Sequence, residues 1–352
     1  MMTHGSFALL PRCLARSRGP LGAALAIWAA CMACSRTAVE GDGGGSGSSG
    51  SVDPALDAVA PVSRCTAESV AVSSVRVARG VTYVTREGRP LQFDVAWTEA
   101  GPPAPLVVLL HGGGWSGGSR ASLSDEMLAF ARRGYTAATV EYRLTQGGKD
   151  VFPAAIADVR CALRTLRRRA ADYHIAPAHV AAVGYSAGGH LASLLGAAAD
   201  VRGLDQDCRD TPPADGGDHN DVRVQAVIAY AAPQDLRVNG PYTREQAEIV
   251  TNFLGVFPGN DLRLATLASP IAHVSAGDPP FLLVHGVDDE LVPVSHARRM
   301  AAALRQVGTP ASVLELRGVG HGFVGLATSD IDRVRCTVHA FLARWLGKPP
   351  SA

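Results

Sequence analysis

The sequence has no surplus charge of either sign. Its 352 residues carry 33 basic and 32 acidic side chains, a formal net charge of +1, so nothing in the balance would draw the chain to nucleic acid or to an acidic membrane surface. A long apolar run is also missing. The stretch from Leu21 to Cys34 is apolar and rich in small residues but too short to span a bilayer comfortably. There is no internal repeat. Beyond the N-terminal segment there is neither a C-x-x-C pair nor a Cys/His ligand cluster, so no metal site is expected. What remains is 47% apolar and 18% charged, a globular composition long enough for one large domain or two small ones, and suited to a small or neutral partner.

Residues 1–34 have the form of a secretory signal: Arg12, Arg16 and Arg18 precede the apolar stretch. Cys31 and Cys34 each follow small residues, as in the cleavage box of bacterial lipoproteins, although the position three before the cysteine is Trp28 or Cys31 instead of an aliphatic residue. Residues 35–64 form a linker in which Gly41 to Ser51 is all Gly, Ser and one Asp, a spacer with nothing to bury. The expectation is an exported domain over 65–348, membrane-bound only through an N-terminal lipid anchor, or else secreted without one. In that oxidising setting Cys65, Cys161, Cys208 and Cys336 allow three pairings. Their places relative to the predicted helices favour 161–208 with 65–336, and free thiols are the alternative.

Alternating apolar residues predict short strands at 75–77, 81–84 and 91–97, with a turn at Glu87 to Pro90. Leu106 to Leu110 has no polar break, as expected of a strand covered on both faces. Helices over 123–133, 152–171, 294–306 and 331–346 alternate with strands over 136–142, 180–185, 224–230, 281–285 and 311–316. This rhythm predicts an α/β fold: a mostly parallel, doubly wound sheet flanked by helices. Two segments break it. Residues 200–222 read as a surface loop whose acidic cluster, Asp215 to Asp221, matches no standard calcium loop. Residues 239–275 mix short helices and turns in a place where they would cover one edge of the site as a small lid.

Gly184-Tyr185-Ser186-Ala187-Gly188 joins an apolar strand to an alanine-rich helix, the G-x-S-x-G spacing of a nucleophile elbow. A tight glycine turn with an idle serine is the other reading of those five residues. A serine nucleophile needs oxyanion donors, a base and something to orient the base. His111-Gly112-Gly113-Gly114-Trp115 follows a buried strand, and its glycines let backbone N–H groups approach a ligand. Gly113 and Gly114, with the N–H of Ala187, are the candidate oxyanion donors, and His111 is expected to brace the loop. Trp115 and Tyr185 are candidate pocket walls. His321 sits between glycines in a loop after the last strand and is the candidate base, with His190 and His296 as alternatives. Asp288, Asp289 and Glu290 compete for the acid position at a strand end.

From about Val75 to Leu346 the chain resembles the α/β-hydrolase superfamily. Within it the HGGG-type esterase and lipase branch is most similar, and there the bacterial BD-FAE-like enzymes related to feruloyl and acetyl-xylan esterases. The likeness is carried by the HGGGW loop, the elbow, and stretches such as Val140 to Leu144, Phe152 to Arg160, Ser269-Pro270-Ile271 and Asp278 to Phe281. The resemblance implies Asp289 as the acid, four residues after His285 and four before Pro293, with Asp288 next. It implies a Ser186, Asp289, His321 triad that cleaves carboxylic esters without a cofactor. The resemblance does not fix the substrate; with no long apolar lid segment in the sequence, a small-molecule or carbohydrate ester with a short acyl group is expected. A formamidase-like amide hydrolase and a non-catalytic binding module on the same fold are the rival readings. A prolyl-oligopeptidase-type peptidase shares the order of the triad, but the chain has no room for its propeller.

Overall fold

The computed structural model describes residues 75–99, 101–205, 208, 221–237 and 243–347. A hairpin leads in. Strands β1 (Arg76–Arg86) and β2 (Arg89–Trp97) are joined by Glu87 and Gly88, whose φ angles of 48° and 77° suit a two-residue hairpin turn. The two short strands expected over 75–84 are one strand. Register shifts between Ala78 and Val81 and between Thr82 and Val84 absorb the irregularity, with Gly80 at φ 65° in the first.

The remaining elements alternate: β3 (Ala104–Leu110), α1 (Ser124–Ala131), β4 (Thr136–Val140), α2 (Ala154–Arg168), β5 (Ile175–Tyr185), α3 (Ala187–Ala197), β6 (Ala226–Tyr230), α4 (Arg244–Leu254), α5 (Leu262–Leu267), β7 (Phe281–Gly286), α6 (Ser295–Gln306), β8 (Ala311–Leu316) and α7 (Thr328–Trp345). The sheet order is β1-β2-β4-β3-β5-β6-β7-β8. β1 and β2 pair antiparallel, as do β2 and β4, and all later pairings are parallel. The fold is therefore the mostly parallel doubly wound sheet that the strand and helix rhythm predicts.

Both faces of the sheet are covered, which explains the unbroken apolar strands. Leu106, Val108 and Leu110 of β3 face a core shared with α2, α3 and α6, while Val107 and Leu109 face one shared with α1 and α7. The insert after α3 is tied to α2. Cys161 and Cys208 form a disulfide with Cα atoms 5.5 Å apart, and Arg160 and Arg164 reach Asp205 at 3.2 and 2.7 Å. Cys336 in α7 is also disulfide-bonded. Cys65, its expected partner, lies outside the described residues, as do Asp215 and Asp218 of the acidic cluster. Among the described residues no helix is long and apolar enough to cross a membrane.

Glu126, in the first turn of α1, is 1% exposed, and neither carboxylate oxygen has a hydrogen-bond partner among the described residues. Burial alone pushes its pKa well above the ordinary value of 4.5. A carboxyl kept neutral by the fold stabilises it only at low pH, and that contribution is lost progressively as pH rises above 4.5. Glu126→Gln is therefore expected to match the wild type near pH 4 and to gain stability toward pH 8. The gain should be at most about 1.4 kcal/mol per pH unit, read from urea unfolding at a series of pH values.

Candidate active site

Between the end of β5 at Tyr185 and the start of α3 at Ala187 stands one residue, Ser186, with φ 50° and ψ −117°. Such a conformation costs a non-glycine residue about 1–3 kcal/mol. It is held by the Ser186 N–H donating to the Tyr230 carbonyl at 2.8 Å and by the Ser186 carbonyl accepting from the His190 N–H at 2.9 Å. The flanking glycines are there for contact. A Cβ on Gly184 would collide with the Gly188 backbone, and one on Gly188 with the carbonyls of Leu110 and His111. The elbow is thus pressed against the end of β3, where the glycine loop begins.

In that loop Gly113 adopts φ 121°, and its carbonyl accepts from Ser116 N at 3.1 Å and Gly117 N at 2.9 Å. Among the described residues no acceptor engages the N–H of Gly113, Gly114 or Ala187. His111 braces the loop from beneath. Its Nδ1 donates to the Gly112 carbonyl at 2.8 Å, and its ring stacks on Tyr142 at 4.3 Å between centroids. Burial lowers its pKa to about 4 against the opposing pull of the Gly112 hydrogen bond, so the imidazole is neutral.

Ser186 Oγ lies 3.1 Å from His321 Nε2, and His321 Nδ1 lies 2.8 Å from Asp289 Oδ2. The other oxygen, Oδ1, accepts from Leu291 N at 3.1 Å and Val292 N at 2.8 Å. Burial would raise the Asp289 pKa. The hydrogen bonds from His285, His321 and the Val292 amide outweigh it and bring the carboxyl down to about 2. Asp288 and Glu290 point to solvent, whereas Asp289 is 4% exposed. Of the three competing carboxylates, only Asp289 reaches a histidine. The alternative histidines are engaged elsewhere: His190 Nε2 with the Ala268 carbonyl at 2.7 Å, and His296 Nδ1 with the N–H of Gln234 at 3.1 Å. Burial lowers both to about 4.

Residues 94–304 match the family model described as BD-FAE. The chain belongs to the BD-FAE family. Its relatives include the esterase LipC of Mycobacterium tuberculosis (strain ATCC 25618 / H37Rv), 32% identical over 244 residues that make up 68% of this chain and 57% of LipC. Esterase LipQ of the same organism is 30% identical over 259 residues, 70% of this chain and 57% of LipQ. The chain thus spans little more than half the length of these curated relatives. Among solved structures, the propionate-bound esterase Est2 of Thermogutta terrifontis superposes with a TM-score of 0.63 at 25% identity, covering 80% of this chain and 98% of Est2. A truncated carbohydrate esterase from gut microbiota shares the fold, with a TM-score of 0.63 at 22% identity over 80% of this chain and 99% of that one. The fold is that of the α/β-hydrolase esterases.

In this BD-FAE member the segment expected as a lid is built on α4. Thr243 and Gln246 form a reciprocal capping box at its start. The same Gln246 donates through Nε2 to the carbonyls of Glu290 and Leu291, both at 3.0 Å, tying α4 to the turn that carries Asp289. Ile249 lies over the loop, its Cγ2 3.4 Å from where a Cβ on Gly114 would stand. Trp115 does not present an open wall. It is 2% exposed, stacked on Phe253 of α4 at 4.1 Å and edge-on to His190 at 5.0 Å. A large apolar ring beside a glycine loop gains more by burial under α4 than by exposure to solvent. Tyr185, 8% exposed, packs against His321 and Phe323 at centroid distances of 5.8 and 5.7 Å. Gln246, Ile249 and Phe253 were not singled out from the sequence, although the T-x-x-Q spacing at 243–246 marks where α4 starts. Phe253→Ala removes the ring beneath Trp115 and should cost about 3–5 kcal/mol of stability in denaturant unfolding.

Proposed function

We propose that this chain is a serine-dependent carboxylic ester hydrolase, with Ser186 as nucleophile, His321 as general base and Asp289 as the acid that orients the base. The observation that carries the reading is the continuous hydrogen-bonded path from Ser186 Oγ through His321 to Asp289, at 3.1 and 2.8 Å. Relatives whose names describe esterases support it.

His321 Nε2 takes the Ser186 proton as Oγ attacks the ester carbonyl, and Asp289 stabilises the imidazolium through Nδ1. The carbonyl oxygen becomes an oxyanion, for which the N–H groups of Gly113, Gly114 and Ala187 are the unengaged donors, each worth on the order of 3 kcal/mol. His321 then protonates the leaving alcohol, and water repeats the sequence on the acyl-enzyme. No step calls for a cofactor or a metal. The substrate is a small-molecule or carbohydrate ester with a short acyl group. Ile249 close above Gly114, and Trp115 filling the space behind the loop, support that size. Tyr185 borders the site beside His321, and Trp115 shapes it from behind. The N-terminal signal, the cysteines at 31 and 34 and the Gly/Ser spacer support an exported enzyme held on a lipid tether.

Hydrolysis of p-nitrophenyl esters and labelling by a fluorophosphonate probe test the assignment together. The wild type should be labelled at Ser186 and should prefer acetate or propionate to octanoate. Ser186→Ala should lose labelling and at least about 1,000-fold in kcat. A Ser186→Ala protein turning over at the wild-type rate would overturn the nucleophile, and a preference for octanoate would overturn the acyl class.

A further inference from the structure

Asp289 meets two histidines, and only His321 takes part in proton transfer from Ser186. The other, His285, lies in β7 four residues before Asp289 and is 1% exposed. Its Nε2 is 2.7 Å from the Val292 carbonyl and 3.4 Å from Asp289 Oδ2, the oxygen that also receives His321 Nδ1 at 2.8 Å. A carbonyl only accepts, so the proton of His285 is on Nε2, and the Asp289 carboxylate lies 3.4 Å from that same nitrogen. The Val292 peptide is held from both sides: its N–H donates to Asp289 Oδ1 at 2.8 Å and its carbonyl accepts from His285.

We propose that His285 is a positioning residue for ester hydrolysis: it locks the 289–292 turn through the Val292 carbonyl and divides the charge on Asp289 Oδ2 between two imidazoles. The inference rests on the triad reading above. The low pKa of Asp289, about 2, agrees with it, because the His285 hydrogen bond is among those that, with His321 and the Val292 amide, outweigh the opposing effect of burial. The other charges around His285 are committed elsewhere. Glu315, its register partner on β8, is paired with Arg298 at 2.7 Å, and Asp235 is paired with Arg237 at 2.8 Å and Arg299 at 3.5 Å. His296 on α6 is kept neutral, mainly by burial. Among these groups Asp289 alone presents a carboxylate oxygen to His285 Nε2. An apolar side chain of similar size would fill the space but would leave the Val292 carbonyl without its donor and load the whole Oδ2 charge onto His321.

His285→Leu and His285→Gln separate the two consequences, because the glutamine amide reaches the place of Nε2 whereas leucine only fills volume. His285→Leu should lower kcat for p-nitrophenyl acetate about tenfold or more at nearly unchanged KM. It should also move the acidic limb of the kcat/KM profile up by about half a pH unit or more. His285→Gln should stay within about threefold of the wild type in both respects, since it restores the donor. The low-field proton NMR resonance of the His321–Asp289 hydrogen bond should shift in the leucine variant and hold in the glutamine one. The proposal is overturned if both variants lose activity alike with limb and resonance unmoved, or if the leucine variant matches the wild type. Should His285→Leu fail to fold, His285→Asn, whose amide falls short of Val292, takes its place with the same expectations. A wild type that fluorophosphonate leaves unlabelled would count against the triad reading instead, while the resonance comparison would still decide whether His285 acts on Asp289.

Discussion

The site depends on one backbone constraint, a serine held at positive φ between a strand and a helix. That conformation is unfavourable by itself and persists because its surroundings leave no alternative. Gly184 and Gly188 let the elbow close onto itself and onto the end of β3, and the Tyr230 carbonyl from the neighbouring strand fixes the Ser186 N–H. The same contact brings the first turn of α3 and the glycine loop after β3 to one place. An elbow that relaxed would separate the hydroxyl from the amides and from His321 together, so strain and pre-organisation are one feature here.

The second constraint is electrostatic. A carboxylate as buried as Asp289 would ordinarily become protonated, because desolvation disfavours its charged form. It stays ionised because the turn that presents it supplies two amide donors to Oδ1, and two histidines approach Oδ2. The turn is in turn held by α4, through Gln246 on the carbonyls of Glu290 and Leu291. The helix that covers the glycine loop therefore also steadies the turn that carries Asp289. Trp115, stacked on Phe253 and edge-on to His190, links that helix to the loop and to α3. Segments distant in sequence are locked to one another around the serine, consistent with preorganised rather than adaptive polar groups.

Much of this is legible in the residues alone. Unbroken apolar runs mark strands covered on both faces, and glycines at i−2 and i+2 of a serine mark a turn with no room for side chains. These are local signals, because sterics and burial act within a few residues of the positions that show them. Legibility fell where a choice depended on partners far away in the chain. The two short strands read over 75–84 are one, since pairing with β2 carries the ladder past the bulge near Gly80. The burial of Trp115 is not legible locally, because the ring that covers it, Phe253, is 138 residues later in the chain.

The sequence by itself determined the alternating α/β architecture, the elbow and the glycine loop, because each follows from local spacing and apolar patterning, while the order Ser186, Asp289, His321 came from the resemblance. The tertiary structure alone shows that Asp289, the acid the resemblance implies, faces inward while Asp288 and Glu290 face solvent. Their composition and spacing are nearly equivalent, and the difference lies in which one faces inward to the amides of its own turn and to a histidine brought from 32 residues away. Tertiary packing likewise placed His190 and His296 in hydrogen bonds away from the serine and set His285 beside the acid. Which of several similar polar side chains turns inward, and what it meets there, is a property of the assembled sheet and helices, and no local pattern encodes it.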